Sequence, residues 1–275
     1  GWKVFFNMLG LMYHNHPVKL EIAGTVESIS HITSDLLYKC YNTFYNLSNM
    51  SLIVIADIDP EKTLEVINSS ILKSEPKDKI THIYPDEPDT VAGTYAEASL
   101  SVSMPLFMMG FKDIDVGYGG DRLLKKNIIT SILLEMIFGK SGKLYNDLYE
   151  SGLITDSLEY EYTMQKEYAY TAIEAESKDP GKVYEEILSH IEYLRKNGLS
   201  EESFERIKKV VWGDYIRSFN DVEGYAHGFM TLLFTDIDYT HYFDVYKTIT
   251  FEDVKKRFDE HFVRERSVLS VVKPV

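Results

Sequence analysis

The feature that most constrains the fold of this chain is a weak internal duplication. Residues 32–55 align without gaps on residues 249–272, so residue n of the first segment corresponds to residue n + 217 of the second. The matched positions are identical at Ile32/Ile249, Thr33/Thr250, Leu52/Leu269 and Val54/Val271, and apolar in both copies at Leu37/Val254, Tyr41/Phe258, Tyr45/Phe262 and Ile55/Val272. Both segments predict a threonine-capped helix, a polar turn and a buried strand. The alternative is a chance match between two common helix–turn–strand units.

The spacing of the duplication indicates that the chain holds one complete copy and the end of another. The second copy begins near residue 92, so a first copy of equal length would begin about 125 residues before Gly1. Residues 74–90 contain three prolines and many charges, which is typical of a solvated linker. We therefore expect residues 1–73 to be the C-terminal part of a first domain, 74–91 a linker, and 92–275 a complete second domain.

The hydrophobic pattern predicts strands in pairs, separated by helices in pairs. The predicted strands lie at Met50–Ala56, Leu100–Met104, Leu106–Phe111, 158–162, 168–172 and 268–272. Helix starts are indicated at Thr33, Asp59-Pro60, Asp179-Pro180 and Ser200, where a capping side chain precedes a helical pattern. This order predicts an α+β fold of duplicated domains, each a mostly antiparallel sheet packed with helices, with the first copy truncated.

The composition excludes several classes of partner. Forty-three acidic residues against 29 basic ones give a formal net charge of −14, which disfavours binding to nucleic acid. The apolar runs are too short or too mixed to span a membrane, and no signal segment opens the chain. The single cysteine, Cys40, excludes an internal disulfide and a cysteine-based zinc site. We expect a cytoplasmic protein, although a region preceding Gly1 could direct it elsewhere.

Two stretches of the chain resemble a known family. The first contains His16-Pro17, Gly24-Thr25, Ile32-Thr33, Phe44-Tyr45, Ser48-Asn49-Met50 and Asp57-Ile58-Asp59-Pro60, and the second is Leu144–Leu153, with Tyr149-Glu150-Ser151-Gly152 at its end. These residues are similar to the insulinase/pitrilysin/mitochondrial-processing-peptidase family of zinc metallopeptidases, the inverzincins. The resemblance implies duplicated α+β domains of about this repeat length that enclose a chamber for extended peptides.

In that family, zinc is held by two histidines of an H-x-x-E-H motif and a later glutamate. No H-x-x-E-H occurs in this chain. The nearest string is Arg257-Phe-Asp-Glu260-His261, in which a permanently cationic arginine stands where the first ligand belongs. The resemblance therefore implies zinc in the parent protein, no metal site on this chain, and no catalytic residue on it.

Three residues are weak candidates for substrate contact. Many relatives place an arginine and a tyrosine of the second stretch against the substrate carbonyl; here Tyr149 occupies the arginine position, and Thr155 or Asp156 the tyrosine position. One interpretation is that a homologous partner subunit supplies the Arg/Tyr pair. The other is that Tyr149 is a helix residue packed against its neighbours. His14 and His16 could line the chamber, although an H-x-H loop before a proline is usually structural.

The resulting hypothesis is the C-terminal part of a zinc endopeptidase that acts on peptides or unfolded polypeptides. The chain would form chamber wall and interdomain contacts and would be inactive alone. One alternative is a non-catalytic subunit or scaffold of a two-chain protease that has lost its metal site. An unrelated α+β interaction protein is the third possibility.

Overall fold

The computed structural model describes residues 1–71, 77, 80–155 and 157–275. Within that range the α-helices are α1 (Trp2–Met12), α2 (Val26–Ser30), α3 (Ser34–Phe44), α4 (Pro60–Ser70), α5 (Gly120–Phe138), α6 (Lys143–Glu150), α7 (Pro180–Asn197), α8 (Glu201–Ser218), α9 (Val222–Leu233), α10 (Tyr242–Lys247) and α11 (Phe251–His261). None of the described helices combines the length and apolar character needed to cross a bilayer.

One mixed sheet organises the second half of the chain. Its strands are β1 (Tyr95–Leu100), β2 (Leu106–Asp113), β3 (Glu159–Met164), β4 (Ala169–Glu176) and β5 (Ser267–Pro274), in the order β1-β5-β2-β4-β3. Only the β1–β5 pairing is parallel among the described strands; β5–β2, β2–β4 and β4–β3 are antiparallel. The predicted α+β class and the mostly antiparallel sheet are confirmed.

The predicted helix starts are confirmed by side-chain caps. The hydroxyl of Thr33 accepts a hydrogen bond from the Leu36 backbone N–H and begins α3. Asp59 and Asp179 cap α4 and α7, each of which has proline at its first position, and Ser200 caps α8. Proline suits that position because the backbone N–H it lacks has no partner inside the helix.

The duplication is visible in the local structure. α3 and α11 lie at equivalent positions under the 217-residue offset, have the same length, and begin after Thr33 and Thr250. The 3₁₀ turns that follow, Leu47–Asn49 and Arg264–Arg266, also coincide under the offset. The predicted helix and turn of the repeat are therefore confirmed in both copies.

Two strand predictions are wrong. Residues 50–56 are not a buried strand: they have no regular structure and lie mostly exposed, whereas the equivalent residues 267–272 belong to β5, which is paired on both sides within the sheet. An extended segment becomes a strand only where a neighbouring strand satisfies its backbone groups, and no described strand lies beside residues 50–56. The first strand of the sheet is Tyr95–Leu100 rather than Leu100–Met104, because pairing with β5 ends at Leu100.

Both faces of the sheet are covered. Phe107, Met109 and Phe111 of β2 point into the larger core, which α5, α7 and α11 help to form. The opposite face, which includes Met108, packs against α1. The residues of α1 that are buried there are Val4, Met8, Leu9 and Met12, each worth about 1.5–3 kcal/mol when removed from water.

Gly110 of β2 lets α1 approach the sheet closely. A Cβ atom at this position would lie 1.7 Å from Met12 Cε and 2.9 Å from Met8 Sδ. We expect Gly110→Val to reduce the free energy of unfolding by about 1–3 kcal/mol through overpacking, measured by urea denaturation. The control is Gly10→Ala on the exposed side of α1, where nothing lies within 4 Å and stability should not fall. Equal losses in both variants would contradict this packing.

Candidate functional site

The loop after α1 folds around a carboxylate. The backbone N–H groups of His14, Asn15 and His16 all donate hydrogen bonds to the carboxylate of Glu87, with N–O distances of 2.8, 2.7 and 2.8 Å. Three successive amides directed at one anion form a concave backbone nest. The carboxylate that fills it belongs to the segment expected to be a solvated linker, yet its side chain is only 14% exposed.

Lys112 of β2 completes this arrangement. Its buried ammonium donates to Glu87 Oε1 at 2.6 Å, to the Pro88 carbonyl at 2.6 Å and to the Thr90 carbonyl at 2.9 Å, so all three protons have acceptors. Burial raises the pKa of Glu87, but the hydrogen bonds from Lys112 and the three amides outweigh it and hold the pKa at about 2. The carboxylate is therefore ionised at neutral pH.

The two histidines of the loop have different environments. His16 is 2% exposed, and its ring stacks on Tyr84 with centroids 4.9 Å apart and also contacts Tyr168. Its Nδ1 accepts the Val18 backbone N–H, which caps the 3₁₀ turn Pro17–Lys19, and burial lowers the pKa of the imidazole. His14 is partly exposed and its Nε2 lies 3.2 Å from Thr90 Oγ1. The loop thus fixes one histidine inside the fold and leaves the other at the surface.

Tyr149 lies at a different place, near the C-terminal end of α6. It is 53% exposed, and its ring is parallel to that of Tyr145, with centroids 6.2 Å apart. Thr155 is exposed as well, and Asp156 lies outside the described residues. Tyr149 is therefore presented to solvent from a helix anchored by Leu144 and Leu148, which are buried.

Arg257 and His261, the ends of the sequence that resembles the zinc motif, are buried in the core. Arg257 forms a bidentate pair with Asp113 at the end of β2, with the shorter N–O distance 2.6 Å, and both side chains are at least 95% buried. Tyr162 also donates to Asp113, at 2.6 Å. His261 is fully buried and its Nε2 lies 2.7 Å from Thr171 Oγ1. Burial raises the pKa of the Asp113 carboxyl, but the Arg257 guanidinium holds it well below its usual range.

These arrangements do not fit a zinc ion. Within the described ranges, no group of three or more His, Cys, Asp or Glu side chains lies close enough to hold a metal. Arg257 is engaged by Asp113 and cannot be a ligand, and Cys40 stands alone on the surface. His14 and His16 do not converge on a common point with a third ligand.

Sequence reasoning missed Glu87, Lys112 and Asp113. Glu87 lies within the acidic run Pro85–Asp89, where nothing distinguishes one carboxylate from its neighbours. Lys112 and Asp113 end an apolar strand, and a polar pair at a strand end is ordinarily solvated. A buried arginine needs an anionic partner, so knowing that Arg257 is buried would have predicted a carboxylate such as Asp113. No sequence pattern shows that Arg257 is buried.

The mixed sheet and the helices packed on it define a domain of the metallopeptidase type. Residues 31–211 match the family model described as the Peptidase M16 inactive domain. The chain belongs to the M16 peptidase family.

Similar proteins cover the chain almost completely. It is 33% identical over 276 residues to "Uncharacterized zinc protease YmfH" of Bacillus subtilis (strain 168), covering 99% of this chain and 64% of that protein. The structure of an M16-like peptidase from Alicyclobacillus acidocaldarius superposes with a TM-score of 0.92 at 30% identity, covering 99% of this chain and 66% of that one. A protease from Helicobacter pylori shares the fold, with a TM-score of 0.83 at 18% identity over 99% of this chain and 66% of that one. The chain therefore spans about two thirds of the length of these relatives.

We expect Arg257→Met to reduce the free energy of unfolding by about 1.5–3 kcal/mol, because it removes both guanidinium hydrogen bonds to the buried Asp113 carboxylate and leaves the Lys126 ammonium, 3.4 Å away, as its counter-charge. The control is Arg264→Met, which removes a half-exposed pair in which Arg264 Nη2 donates to both carboxylate oxygens of Glu185, and it should cost at most about 1 kcal/mol. Chemical denaturation measures both variants. A similar small loss of stability in both variants would show that the buried Arg257–Asp113 pair contributes no more to stability than the exposed one.

Proposed function

We propose that this chain is the non-catalytic C-terminal part of a zinc-dependent endopeptidase that acts on peptides or unfolded polypeptides. Residues 1–73 are the end of a first metallopeptidase-like domain, 74–91 join the domains, and 92–275 are the second domain. Residues 72–73 at the end of the first part, and 74–76 and 78–79 of the linker, lie outside the described residues. The chain contributes chamber wall and interdomain contacts, and the zinc ligands lie on the remainder of the protein.

A difference in burial between equivalent positions of the two copies supports this proposal. Exposure in the first and second copy is 47% and 2% at Ile32/Ile249, 60% and 0% at Leu37/Val254, 57% and 3% at Tyr41/Phe258, 63% and 0% at Tyr45/Phe262, and 67% and 5% at Leu52/Leu269. The same apolar pattern is thus buried in the second copy and exposed to solvent in the first. A continuous apolar face that is left in water indicates a surface made for another part of the assembly.

The second copy shows what covers such a face. α11 packs against α5 and β2, and β5 is paired on both sides by β1 and β2. The first copy has α3 and the extended residues 50–56, but no described helix or strand in the positions of α5, β1 and β2. Elements of that kind, preceding this chain in the longer protein, would complete the first domain.

The helices before each repeat give independent support. α1 precedes α2 as α9 precedes α10, and α2 and α10 coincide under the 217-residue offset. α1 covers the face of the second-domain sheet that includes Met108, whereas the apolar helix α9 has no buried residue. If the two domains exchange these helices, α9 covers the sheet of the first domain. The exchange explains why an apolar helix lies uncovered in this chain.

We assign the substrate contact on this chain to Tyr149, because it is half-exposed on a rigid helix and can stack on an extended peptide. His14 is a second, weaker candidate at the surface, and His16 supports it by holding the shape of the loop. A homologous partner subunit supplies the Arg/Tyr pair that this chain lacks. A relative named as a zinc protease is consistent with zinc in the whole protein.

Metal analysis after dialysis tests the proposal. We expect about one zinc per chain in the longer protein and none in the 275-residue chain, because a catalytic zinc site needs three protein ligands and the residues that the structure describes do not bring three together. Zinc in neither protein would contradict the peptidase proposal and favour the non-catalytic subunit or scaffold. Zinc on the 275-residue chain would mean that its own residues form a site, contrary to the structure.

A matched pair of truncations tests the domain organisation. In the 275-residue chain we expect Val254→Ala to cost about 1–3 kcal/mol, because Val254 is fully buried, and Leu37→Ala to change stability by less than about 0.5 kcal/mol. In the longer protein Leu37→Ala should cost about 2–5 kcal/mol, since its face is then covered. Denaturant unfolding measures all of these variants. No added cost for Leu37→Ala in the longer protein would refute the covered first copy.

A further inference from the structure

The arrangement around Glu87 joins three parts of the chain that are distant in sequence. We call this arrangement the Glu87 knot: the Glu87 carboxylate, the backbone amides of His14–His16 and the ammonium of Lys112. The amides belong to the loop after α1, the carboxylate to the residues before β1, and the ammonium to β2. The knot therefore ties one loop and one connecting segment to the central strand of the sheet.

The chain leaves the body of the second domain and returns to it next to the knot, and Trp2 Nε1 at the start of α1 also donates to Glu21 Oε1 at 2.9 Å. α1 packs on the sheet, and the chain departs through His14–Leu20 towards α2, α3 and α4. It returns through Tyr84–Gly93, where the Ala92 and Gly93 backbone N–H groups donate to the Leu11 carbonyl at 2.7 and 3.0 Å. Residues 21–71, which carry α2, α3 and α4, are thus an excursion from that body, and the segments by which the chain leaves and returns lie side by side.

Several contacts besides the knot fasten the two ends to each other. The His16 ring stacks on Tyr84, with centroids 4.9 Å apart and an interplanar angle of 10°. His14 Nε2 lies 3.2 Å from Thr90 Oγ1, and Asn15 Nδ2 donates to the Asp86 carbonyl at 2.8 Å. Each of these contacts joins an outgoing residue to a returning one. Glu87, Pro88 and Thr90 also reach the sheet, because each accepts a hydrogen bond from Lys112, and Glu87 is the one whose charge pairs with that ammonium.

We propose that the Glu87 knot is the joint that fixes the excursion of residues 21–71 relative to the second-domain sheet. A largely buried ionic pair whose ammonium protons all have acceptors holds one geometry, since each alternative leaves a charge or an amide without a partner in a place largely shielded from water. Residues 84–91, the described end of the segment expected to act as a linker, therefore form a rigid connection between the two parts rather than a hinge. Any opening of a chamber built from them occurs at another interface.

The proposal concerns the geometry of this chain and stands whether or not the longer protein binds zinc. The test variant is Glu87→Gln. It keeps the size of the side chain and removes the negative charge to which the three amides and Lys112 donate hydrogen bonds. The matched control is Asp86→Asn, which makes the same change at the adjacent acidic residue, whose side chain is exposed. Both variants are made in the full 275-residue chain.

Amide hydrogen exchange followed by NMR is the first measurement. In the unmodified chain the amides of His14, Asn15 and His16 should be protected, and Glu87→Gln should accelerate their exchange about tenfold or more. Asp86→Asn should leave them unchanged, and amides of β2 and β4 should stay protected in both variants. Unprotected His14–His16 amides in the unmodified chain would overturn the proposal even if Glu87→Gln does not fold.

A distance measurement distinguishes a joint from a local contact. Cys40, the single cysteine, is exposed on α3 within the excursion, and Lys196 is exposed on α7 of the second domain. Spin labels on Cys40 and on a cysteine introduced by Lys196→Cys should give a narrow distance distribution. With Glu87→Gln the distribution should broaden, and with Asp86→Asn it should not. Faster exchange with no broadening would show that the knot orders its loop without fixing the excursion, which refutes the proposal.

Discussion

The structure depends on one constraint: a five-stranded sheet with two apolar faces must be covered on both sides. β2 is buried along nearly its whole length, so neither face can remain in water. The helices that follow in sequence cover one face, and α1, which lies about a hundred residues before β2, covers the other. Gly110 permits the close approach. The core of the sheet is therefore completed by a helix from the start of the chain, far from the strands in sequence.

The position of α1 on the sheet explains where the buried charged residues lie. Once α1 is placed on the sheet, the loop after it and the segment before β1 must pass each other over the end of β2. Their backbone polar groups lose water there: Glu87 accepts hydrogen bonds from the N–H groups of His14–His16, and Lys112 donates to the Pro88 and Thr90 carbonyls. On the opposite side of the sheet, Asp113 offsets the buried Arg257. Both ionic pairs start from adjacent residues of β2, whose side chains point to opposite faces.

The sequence predicted the local structure well and the pairing poorly. Thr33, Asp59 and Asp179 begin helices because a capping side chain and a following helical pattern are local signals. Residues 50–56 carry the composition of a central strand and remain unpaired, because a strand depends on neighbours that the sequence around it does not describe. The predicted solvated character of residues 85–89 failed at Glu87 for the same reason, since its partners lie at His14–His16 and Lys112. For the candidate site, the sequence proposed His14, His16 and Tyr149, but it could not distinguish buried His16 from exposed Tyr149.

By itself the sequence determined the fold class, the repeat, the family and the lack of a complete H-x-x-E-H motif, because each is written in residue identities and short spacings. The tertiary structure decided which copy of the repeat is covered, which carboxylate of an acidic run is buried, and that Arg257 serves the core. Those outcomes depend on contacts between residues that lie tens to more than a hundred positions apart. Burial and charge pairing are properties of such contacts, so identical apolar patterns at Leu37 and Val254 end in opposite environments.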